Sequence, residues 1–286
     1  MASVRAYYEL TKPGIIYGNL LTAAAGFLLA ARWQINWLLL ISAMVGTSLV
    51  IASACVFNNY IDRGIDLQMA RTRQRAIATG AISGRAALVY GAVLGLIGIV
   101  VLILGTNWLT LGIGLAGFII YVALYGYSKR KSVYGTIIGS VSGAAPIAAG
   151  YTAVTNHVDG GALLLFSFMV IWQMPHFYAI ALYRLSDYTA AHLPVLPVVR
   201  GVSLTRRHMI YYMIALVLVV PLLTVFGYTG YVYLIVMVIM SLAWLRLGIV
   251  GVRARDVTKW ARQVFLFSLV VLVSFSVMVA VGGVWP

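Results

Sequence analysis

Charged residues are scarce in this sequence of 286 residues, and acidic ones are the scarcest. Charged residues make up 9% of the chain and hydrophobic residues 63%, with six Asp and Glu against 20 Lys and Arg. So few charged side chains cannot cover the surface of a water-soluble globule, which excludes that class. Cysteine is nearly absent as well. Cys55 is alone, so the chain can form neither an intramolecular disulfide nor a cysteine-rich metal site.

The sequence is rich in long apolar segments instead. Each is about 20 residues long, which is enough to cross a hydrocarbon core of about 30 Å. The segments lie at residues 14–31, 37–57, 86–104, 108–127, 133–152, 161–183, 209–227, 230–248 and 263–283. Gly and Pro within them are compatible with membrane spans. We therefore predict an all-α, polytopic membrane protein of about nine transmembrane helices, with residues 1–286 forming one domain.

The net charge of +14 could indicate a nucleic-acid-binding surface, but the positions of the basic residues along the chain fit the loops of a membrane protein better. Arg32 is the only Lys or Arg between the first and second predicted spans. Apart from Arg246, near the end of the eighth span, the other basic residues lie at the N-terminus or follow even-numbered spans. Cytoplasmic loops of membrane proteins carry an excess of Lys and Arg. We expect the N-terminus and the basic loops in the cytoplasm, the C-terminus on the opposite face, and no nucleic-acid partner.

The most informative stretch joins the second span to the polar loop after it. If the helix continues to residue 66, Asn58, Asp62 and Asp66 fall at i, i+4 and i+8 on one face, with Asn59 beside them. Two carboxylates one turn apart repel each other unless a cation lies between them, and hard oxygen ligands favour Mg²⁺. The spacing therefore predicts a Mg²⁺ site built from these two aspartates and two asparagines.

Basic residues follow this motif at Arg71, Arg73 and Arg75. Guanidinium groups bind phosphate oxygens through forked donors, so the order of acids and then arginines indicates a metal-bound diphosphate. Lys129 and Arg130, after the fourth span, either reach the same diphosphate or mark only the cytoplasmic side. A capped helix end with a positive-inside loop is the simpler alternative for the whole stretch, but topology alone requires no paired acids.

The sixth span carries polar and aromatic groups in the run from Trp172 and Gln173 to His176, with Pro175 among them. Proline removes a backbone donor and predicts a kink in this helix. An imidazole in an apolar span is costly without a partner, so His176 is a functional candidate, as a metal ligand or a proton carrier. The alternative is an interior histidine that only makes a hydrogen bond.

These motifs resemble those of the UbiA superfamily of intramembrane prenyltransferases. The pattern Asn58-Asn59-x-x-Asp62-x-x-x-Asp66 is similar to the first aspartate-rich motif of that superfamily, and residues 58–63 resemble its haem-directed branch. Further agreement comes from Thr11-Lys12-Pro13-Gly14-Ile15-Ile16, from residues 132–136 and 142–146, and from Trp172-Gln173-Met174-Pro175-His176 running on to residues 187–188 and 196–198. The resemblance covers nearly the whole chain.

The resemblance implies a UbiA-like helical bundle with a central cavity and cytoplasmic cap loops, in a bacterial-type cytoplasmic (inner) membrane. It implies transfer of a farnesyl group from farnesyl diphosphate to a vinyl group of haem B, giving haem O, with Mg²⁺ as cofactor and a haem A synthase as a downstream partner. The implied catalytic residues are Asp62, Asp66, Arg71, Arg75 and His176, the last beside the haem. The implied substrate-binding residues are Asn58, Asn59, Arg73, Lys129, Arg130, Trp172, Gln173, Tyr183, Arg184 and Asp187.

The sequence departs from the wider superfamily at the second acidic motif. Many members have paired aspartates there, whereas the matching positions here look like Tyr183 and Asp187. One acid is missing, so the resemblance leaves open whether one or two Mg²⁺ ions bind.

Three other functions remain as alternatives. A prenyltransferase for a quinone or phenolic acceptor would keep the same metal site, but the run 172–176 and Tyr183 disfavour it. A secondary transporter would also have polar groups within its spans, but it needs no acid-then-arginine motif. A haem-binding electron-transfer subunit would offer pairs of histidines within spans, whereas His157, His192 and His208 map to loops or span ends.

Overall fold

The computed structural model describes residues 3–283, and in that range the chain consists of helices joined by turns and short loops. Helices α1 to α7 are Val4–Leu10, Pro13–Ala31, Trp37–Asp66, Gly84–Gly105, Trp108–Ile119, Gly126–Lys131 and Gly135–Thr155. Helices α8 to α13 are Gly160–Tyr183, Leu185–Ala190, Leu196–Val219, Leu222–Val225, Tyr231–Val250 and Val257–Gly282. A π-helical turn, Ile120–Tyr125, joins α5 to α6, and a 3₁₀ turn, Gly251–Arg253, follows α12.

Across residues 3–283, nine helical segments are long and apolar enough to cross a membrane, which confirms the predicted number. The fourth runs from α5 through the π-helical turn to the end of α6, and the seventh combines α10 and α11. Large apolar side chains such as Leu96, Leu104 and Leu218 are exposed on the outer surface. A water-soluble protein would not expose so many, so this surface faces lipid and the chain is an integral membrane protein.

Two helix boundaries bear on the site. Helix α3 is 30 residues long and continues to Asp66, beyond the end of the apolar run at residue 57, as the motif analysis requires. Helix α10 begins at Leu196, so the predicted start of that span at residue 209 is wrong. Arg200, Arg206 and Arg207 lower the hydropathy of its first turns, which hides the helix from a search for apolar runs. Gly201, at φ +82°, interrupts α10 near its start.

Helix α7 is the most buried span, and neighbouring helices pack closely against it. A Cβ atom on Gly150 of α7 would collide with the carbonyl group of Ala23, and one on Gly26 of α2 would collide with the carbonyl group of Ile147. Small residues let helix backbones touch in this way inside membranes. Helices α2 and α7 therefore form a rigid pair at the centre of the bundle.

Helix α8 packs against α7, α10 and α13. The rings of Phe168 in α8 and Phe275 in α13 stack with their centroids 3.4 Å apart. The indole Nε1 of Trp172 donates a hydrogen bond to the backbone oxygen of Ser268 in α13, at 3.0 Å. These contacts fix the rotation of α8 about its axis and so decide which of its side chains face the interior.

Candidate active site

A cavity of about 520 Å³ lies inside the bundle. Its walls come from α2, α3, α5, α7, α8 and α13, together with the π-helical turn and α6. The wall near the C-terminal end of α3 is polar, with Asp62 and Asp66, whereas farther along the helices it is apolar, with Val50, Phe118 and Leu272. The cavity can therefore hold a molecule with a charged head and a long apolar part.

Both aspartates face this cavity and both are ion-paired. Asp62 accepts hydrogen bonds from Lys129 Nζ at 2.5 Å and from Arg130 at 3.2 Å. Both carboxylate oxygens of Asp66 accept hydrogen bonds from one Arg75 nitrogen, at 2.9 Å each. The continuous helix places the two carboxylates one turn apart on one face, as predicted. Bases from α6 and from the loop after α3 thus neutralise acids that would otherwise repel each other.

The two asparagines take different positions. Asn58 lines the cavity, and its Oδ1 accepts a hydrogen bond from Lys12 Nζ at 2.8 Å. Asn59 lies outside the cavity lining, and its amide donates to the backbone oxygen of Leu10 in α1, at 2.8 Å. By spacing both asparagines lie near the face of the aspartates, so it is the bond to Leu10 that keeps Asn59 out of the cavity lining. Three of the four predicted metal ligands therefore line the cavity, with Asn59 beside them.

The donor atoms of this cluster suit a hard cation. Two carboxylates and an amide oxygen are the ligands that Mg²⁺ prefers, and Asn59 Oδ1 is buried nearby with no hydrogen-bond partner. The part of the chain that the structure describes holds no group of three or more His, Cys, Asp or Glu suited to a metal ion. A metal here would thus have few protein carboxylates, which is how Mg²⁺ binds when phosphate oxygens complete its shell.

Basic side chains surround the same end of the cavity. Lys12, Arg71, Arg75 and Lys129 line it, while Arg130 reaches it through Asp62. Arg73 is exposed and lies outside the lining, so the structure does not bring it together with the other arginines. Five cations therefore surround two carboxylates, which leaves positive charge to spare for a diphosphate.

Lys12 is the residue that sequence reasoning missed. Burial, and then the nearby Arg75 and Lys129 charges, lower its pKa to about 8, against the opposing effect of Cys55 and Asp62. Its backbone is in the left-handed region, at φ 54°, just before α2. The available signal was the run of residues 11–16, which carries the family resemblance but gave Lys12 no predicted role. The turn before Pro13 directs the lysine into the bundle.

The π-helical turn presents two tyrosines to the cavity. Tyr121 and Tyr125 stack with ring centroids 5.4 Å apart, and both line the cavity. Lys129 Nζ lies 4.8 Å from the centre of the Tyr125 ring. A π-helical turn inserts an extra residue into a helix and so changes the face of everything after it. This turn carries no marker that a search for apolar periodicity would detect, and the tyrosines were not predicted.

A second wall of the cavity contains the run from α8. Trp172, Gln173 and His176 all line the cavity, and the Trp172 and His176 rings stack with centroids 4.8 Å apart. Gln173 donates to the backbone oxygens of Ser140 and Met169, both at 3.0 Å. Helix α8 continues through Pro175 to Tyr183. The structure therefore brings these three predicted residues to one surface.

The residues after α8 lie elsewhere. Tyr183, Arg184 and Asp187 are outside the cavity lining, and their part in substrate binding stays a prediction. Helix α8 ends at Tyr183, and Arg184 has non-helical backbone angles before α9 begins. Asp187 Oδ1 accepts a hydrogen bond from the backbone N–H of Ala70 at 3.1 Å. Its contact is with the loop that carries Arg71 and Arg75, and Tyr188 lines the cavity instead.

An all-α bundle within the membrane, with paired acids and surplus bases at one end of an apolar cavity, defines a class of intramembrane enzymes for prenyl diphosphates. Residues 19–270 match the family model described as the UbiA prenyltransferase family. The chain belongs to that family, and it is a membrane-embedded prenyltransferase.

Curated relatives agree over almost the whole chain. The chain is 48% identical to a protoheme IX farnesyltransferase of Serratia proteamaculans over 279 residues, covering 97% of the chain and 94% of that protein. It is also 48% identical to a protoheme IX farnesyltransferase of an Enterobacter species, covering 99% of the chain and 96% of that protein. The resemblance to the haem-directed branch is thus confirmed.

Solved structures confirm the fold. A digeranylgeranylglyceryl phosphate synthase is similar with a TM-score of 0.81 at 19% identity, covering 99% of each chain. A UbiA homologue from Archaeoglobus fulgidus bound to GPP and Mg²⁺ has a TM-score of 0.73 at 15% identity, covering 96% of this chain and 99% of that one. The predicted UbiA-like helical bundle with a central cavity is correct.

Proposed function

We propose that the protein joins farnesyl diphosphate and haem B to give haem O. The C1–O bond of farnesyl diphosphate breaks, a vinyl carbon of haem bonds to C1, and water adds to the resulting cation. The products are the hydroxyethylfarnesyl haem, diphosphate and one proton. The observation that carries this proposal is the 48% identity to protoheme IX farnesyltransferases over 97% of the chain.

Mg²⁺ dependence is the second part of the proposal. Asp62, Asp66 and Asn58 would hold the ion, and Asn59 would join them after releasing Leu10. When bound, Mg²⁺ would supply a Lewis acid to the leaving diphosphate. The hard oxygen donors of the cluster support this assignment, as does the Mg²⁺ in the A. fulgidus homologue bound to GPP.

The basic side chains would exchange partners when the diphosphate enters. Lys129, Arg130 and Arg75 now neutralise the aspartates. On substrate binding, these cations would leave the carboxylates and bind the phosphate oxygens, together with Lys12 and Arg71. They would then stabilise the charge that develops on the leaving group in a site with little water. Arg73 faces away from this cavity and is left out of the set.

The farnesyl chain would lie along the apolar wall, where Gly114 and Gly117 of α5 leave room beside Phe118. Tyr121 and Tyr125 line the same cavity as the carboxylates and stack on each other. Aromatic faces attract a positive charge, so they would stabilise the allylic cation as the diphosphate departs. The surrounding apolar side chains would keep water from that cation until the vinyl carbon has reacted.

The haem would lie against the wall formed by Trp172, Gln173 and His176. A flat, largely apolar ring stacks well on an indole, and an imidazole can bind its iron. Tyr183 and Arg184 lie outside the cavity, and their proposed contribution to substrate binding is indirect, through the packing of Tyr183 against Phe265. Asp187 would act through the Arg71–Arg75 loop.

We also propose that residues 1–286 work as one domain in a bacterial-type inner membrane. The basic loop that follows α3 and the basic end of α6 support a cytoplasmic location for the polar end of the cavity. Farnesyl diphosphate would then enter from the cytosol. The product keeps its large apolar tail, so a membrane-bound haem-modifying enzyme such as a haem A synthase would be the next to use it.

The test is an assay with purified protein in lipid, haem B and farnesyl diphosphate, with Mg²⁺ or with a chelator. We expect haem O only with Mg²⁺, and a fall of about 10²- to 10³-fold in kcat for Asp62→Asn, the size of effect typical for loss of transition-state electrostatics. The control is Arg73→Gln, which should keep activity because this side chain is outside the cavity. Full activity with chelator would refute the metal dependence, and absence of farnesylated haem would refute the reaction.

A further inference from the structure

Ser268, in the middle of α13, is the hydrogen-bond partner of His176. Its Oγ lies 2.7 Å from His176 Nδ1 and 2.5 Å from the backbone oxygen of Phe265. Ser268 is fully buried, and the sequence analysis did not single it out. The contact joins α8 to α13, 92 residues apart in sequence.

The two contacts of Ser268 favour one tautomer of His176. A carbonyl oxygen can only accept, and the shorter of the two contacts runs to Phe265, so we assign the single hydroxyl hydrogen of Ser268 to that bond. The Ser268 oxygen is then an acceptor toward the imidazole, and His176 Nδ1 must carry a hydrogen to make this bond. In a neutral imidazole with Nδ1–H, the other nitrogen, Nε2, keeps its lone pair.

Nothing in the described part of the chain uses that lone pair. Nε2 of His176 has no hydrogen-bond partner there, and it is not among the enclosed atoms without a partner. His176 lines the cavity, and its ring is held by stacking on Trp172 and by contact with Phe265 at a centroid distance of 5.0 Å. The ring therefore has one nitrogen tied to α13 and the other available to a ligand.

We infer that Ser268 is a positioning residue that holds His176 in its Nδ1–H form and so presents Nε2 to the iron of the haem acceptor. This inference rests on the proposed function. When an imidazole binds iron through one ring nitrogen, a hydrogen bond donated by the N–H of the other nitrogen fixes the tautomer and the ring orientation. The same bond raises the basicity of the nitrogen that binds the iron. Ser268 thus sets how strongly and in what orientation His176 holds the haem.

The test compares the wild-type protein with Ser268→Ala and His176→Ala. Absorption titration measures the affinity for haem B, and resonance Raman spectroscopy measures the frequency of the iron–imidazole stretching band in the ferrous complex. For Ser268→Ala we expect about 10-fold weaker haem binding and a lower frequency of that band, the scale of effect known for such partners. Ser276→Ala is the matched control. Ser276 is equally buried on α13, but its hydroxyl donates only to the backbone oxygen of Leu272.

Ser268→Thr retains the hydroxyl and should keep the wild-type band, which separates loss of the hydrogen bond from damage to folding. Nitrogen NMR of histidine-labelled protein without haem should show Nδ1–H for the signal that disappears in His176→Ala. An unchanged band and affinity in Ser268→Ala, or a wild-type band in His176→Ala, would overturn the inference. Failure to farnesylate haem despite the iron–imidazole band would refute the proposed function alone.

Discussion

The two acidic residues of the cavity are held in ion pairs. Asp62 and Asp66 are buried, and each is neutralised by a base from another segment. Removing one member of such a pair leaves an uncompensated buried charge, which costs about 3–5 kcal/mol. The carboxylates and the bases around them are therefore constrained by the stability of the ligand-free protein as well as by substrate binding.

Replacement of Lys12 by Met should raise the KM for farnesyl diphosphate about 10-fold, because a charge-assisted hydrogen bond is worth about 1.5–3 kcal/mol. The side chain lines the cavity and bonds to Asn58, so its loss also affects the proposed metal cluster. Steady-state kinetics with varied farnesyl diphosphate would measure the effect. Arg73→Met removes an equal charge outside the cavity and should change KM by less than about twofold; an equal rise in both variants would contradict a specific role for Lys12.

Most polar residues of the cavity could be predicted from the sequence, but the direction in which each side chain points could not. The i, i+4, i+8 spacing of Asn58, Asp62 and Asp66 was sufficient, because α3 is a regular helix to its end. Asn59 has the spacing to share that face, but its bond to Leu10 of α1 could not be predicted, because the sequence does not show where α1 packs. Lys12 was missed because its left-handed turn leaves no pattern in the sequence.

At the scale of helices and loops, Asp187, at the second acidic position, binds a loop backbone and lies outside the cavity lining. Asp187 starts from α9 and holds the backbone of Ala70, at the start of the loop with Arg71 and Arg75. Apolar contacts among Met69, Ala191 and Leu193 reinforce the same junction. The two segments that cover the polar end of the cavity are thereby joined.

Asp187→Ala should raise the KM for farnesyl diphosphate several-fold and leave the Mg²⁺ concentration for half-maximal activity unchanged. The variant loses the acceptor for the Ala70 N–H, so the arginine loop is held less firmly, but no cavity group is removed. A neutral acceptor suffices for this bond, and Asp187→Asn should restore near wild-type KM. If Asp187 binds metal instead, the asparagine variant will need more Mg²⁺.

Helix contacts through glycine yield a stability prediction. Gly150→Val should destabilise the protein by about 1–3 kcal/mol, the usual cost of overpacking, because α7 touches the α2 backbone at this point. Thermal unfolding in detergent would measure this as a lower midpoint. Gly18→Ala, on α2 with open space around it, is the control and should unfold like wild type. Equal midpoints for all three proteins would show that the α2–α7 contact is not tight.

The membrane-spanning helices could be predicted from the lengths of their apolar runs, except where charged residues interrupt a run. All nine spans were found, but the start of α10 was masked by arginines, and no signal marked the π-helical turn before α6. That turn sets the face of Lys129, so the ion pair with Asp62 depends on an irregularity that hydropathy does not record. The rest of the site could not be placed because it depends on such local departures from regular helix.

The whole molecule is a single bundle with its polar end on one side, and its orientation can be tested directly. In a Cys55→Ala background, Val158→Cys in the α7–α8 loop should react with a membrane-impermeant maleimide on intact cells. Lys131→Cys at the end of α6 should react only after lysis. Both positions are exposed, so access depends on the side of the membrane. The opposite labelling pattern would invert the proposed topology.

The ion pairs at Asp62 and Asp66 affect the order in which the proposed ligands can bind. Under the proposed function, a divalent ion that arrived alone would have to displace Lys129 and Arg75 and leave them without counterions, and a diphosphate that arrived alone would have to compete with the carboxylates for the same cations. Each ligand would remove the obstacle to the other, so their affinities would be linked and each would strengthen the other equally. We therefore expect the free ion to bind weakly and the magnesium–prenyl diphosphate complex to bind as one unit.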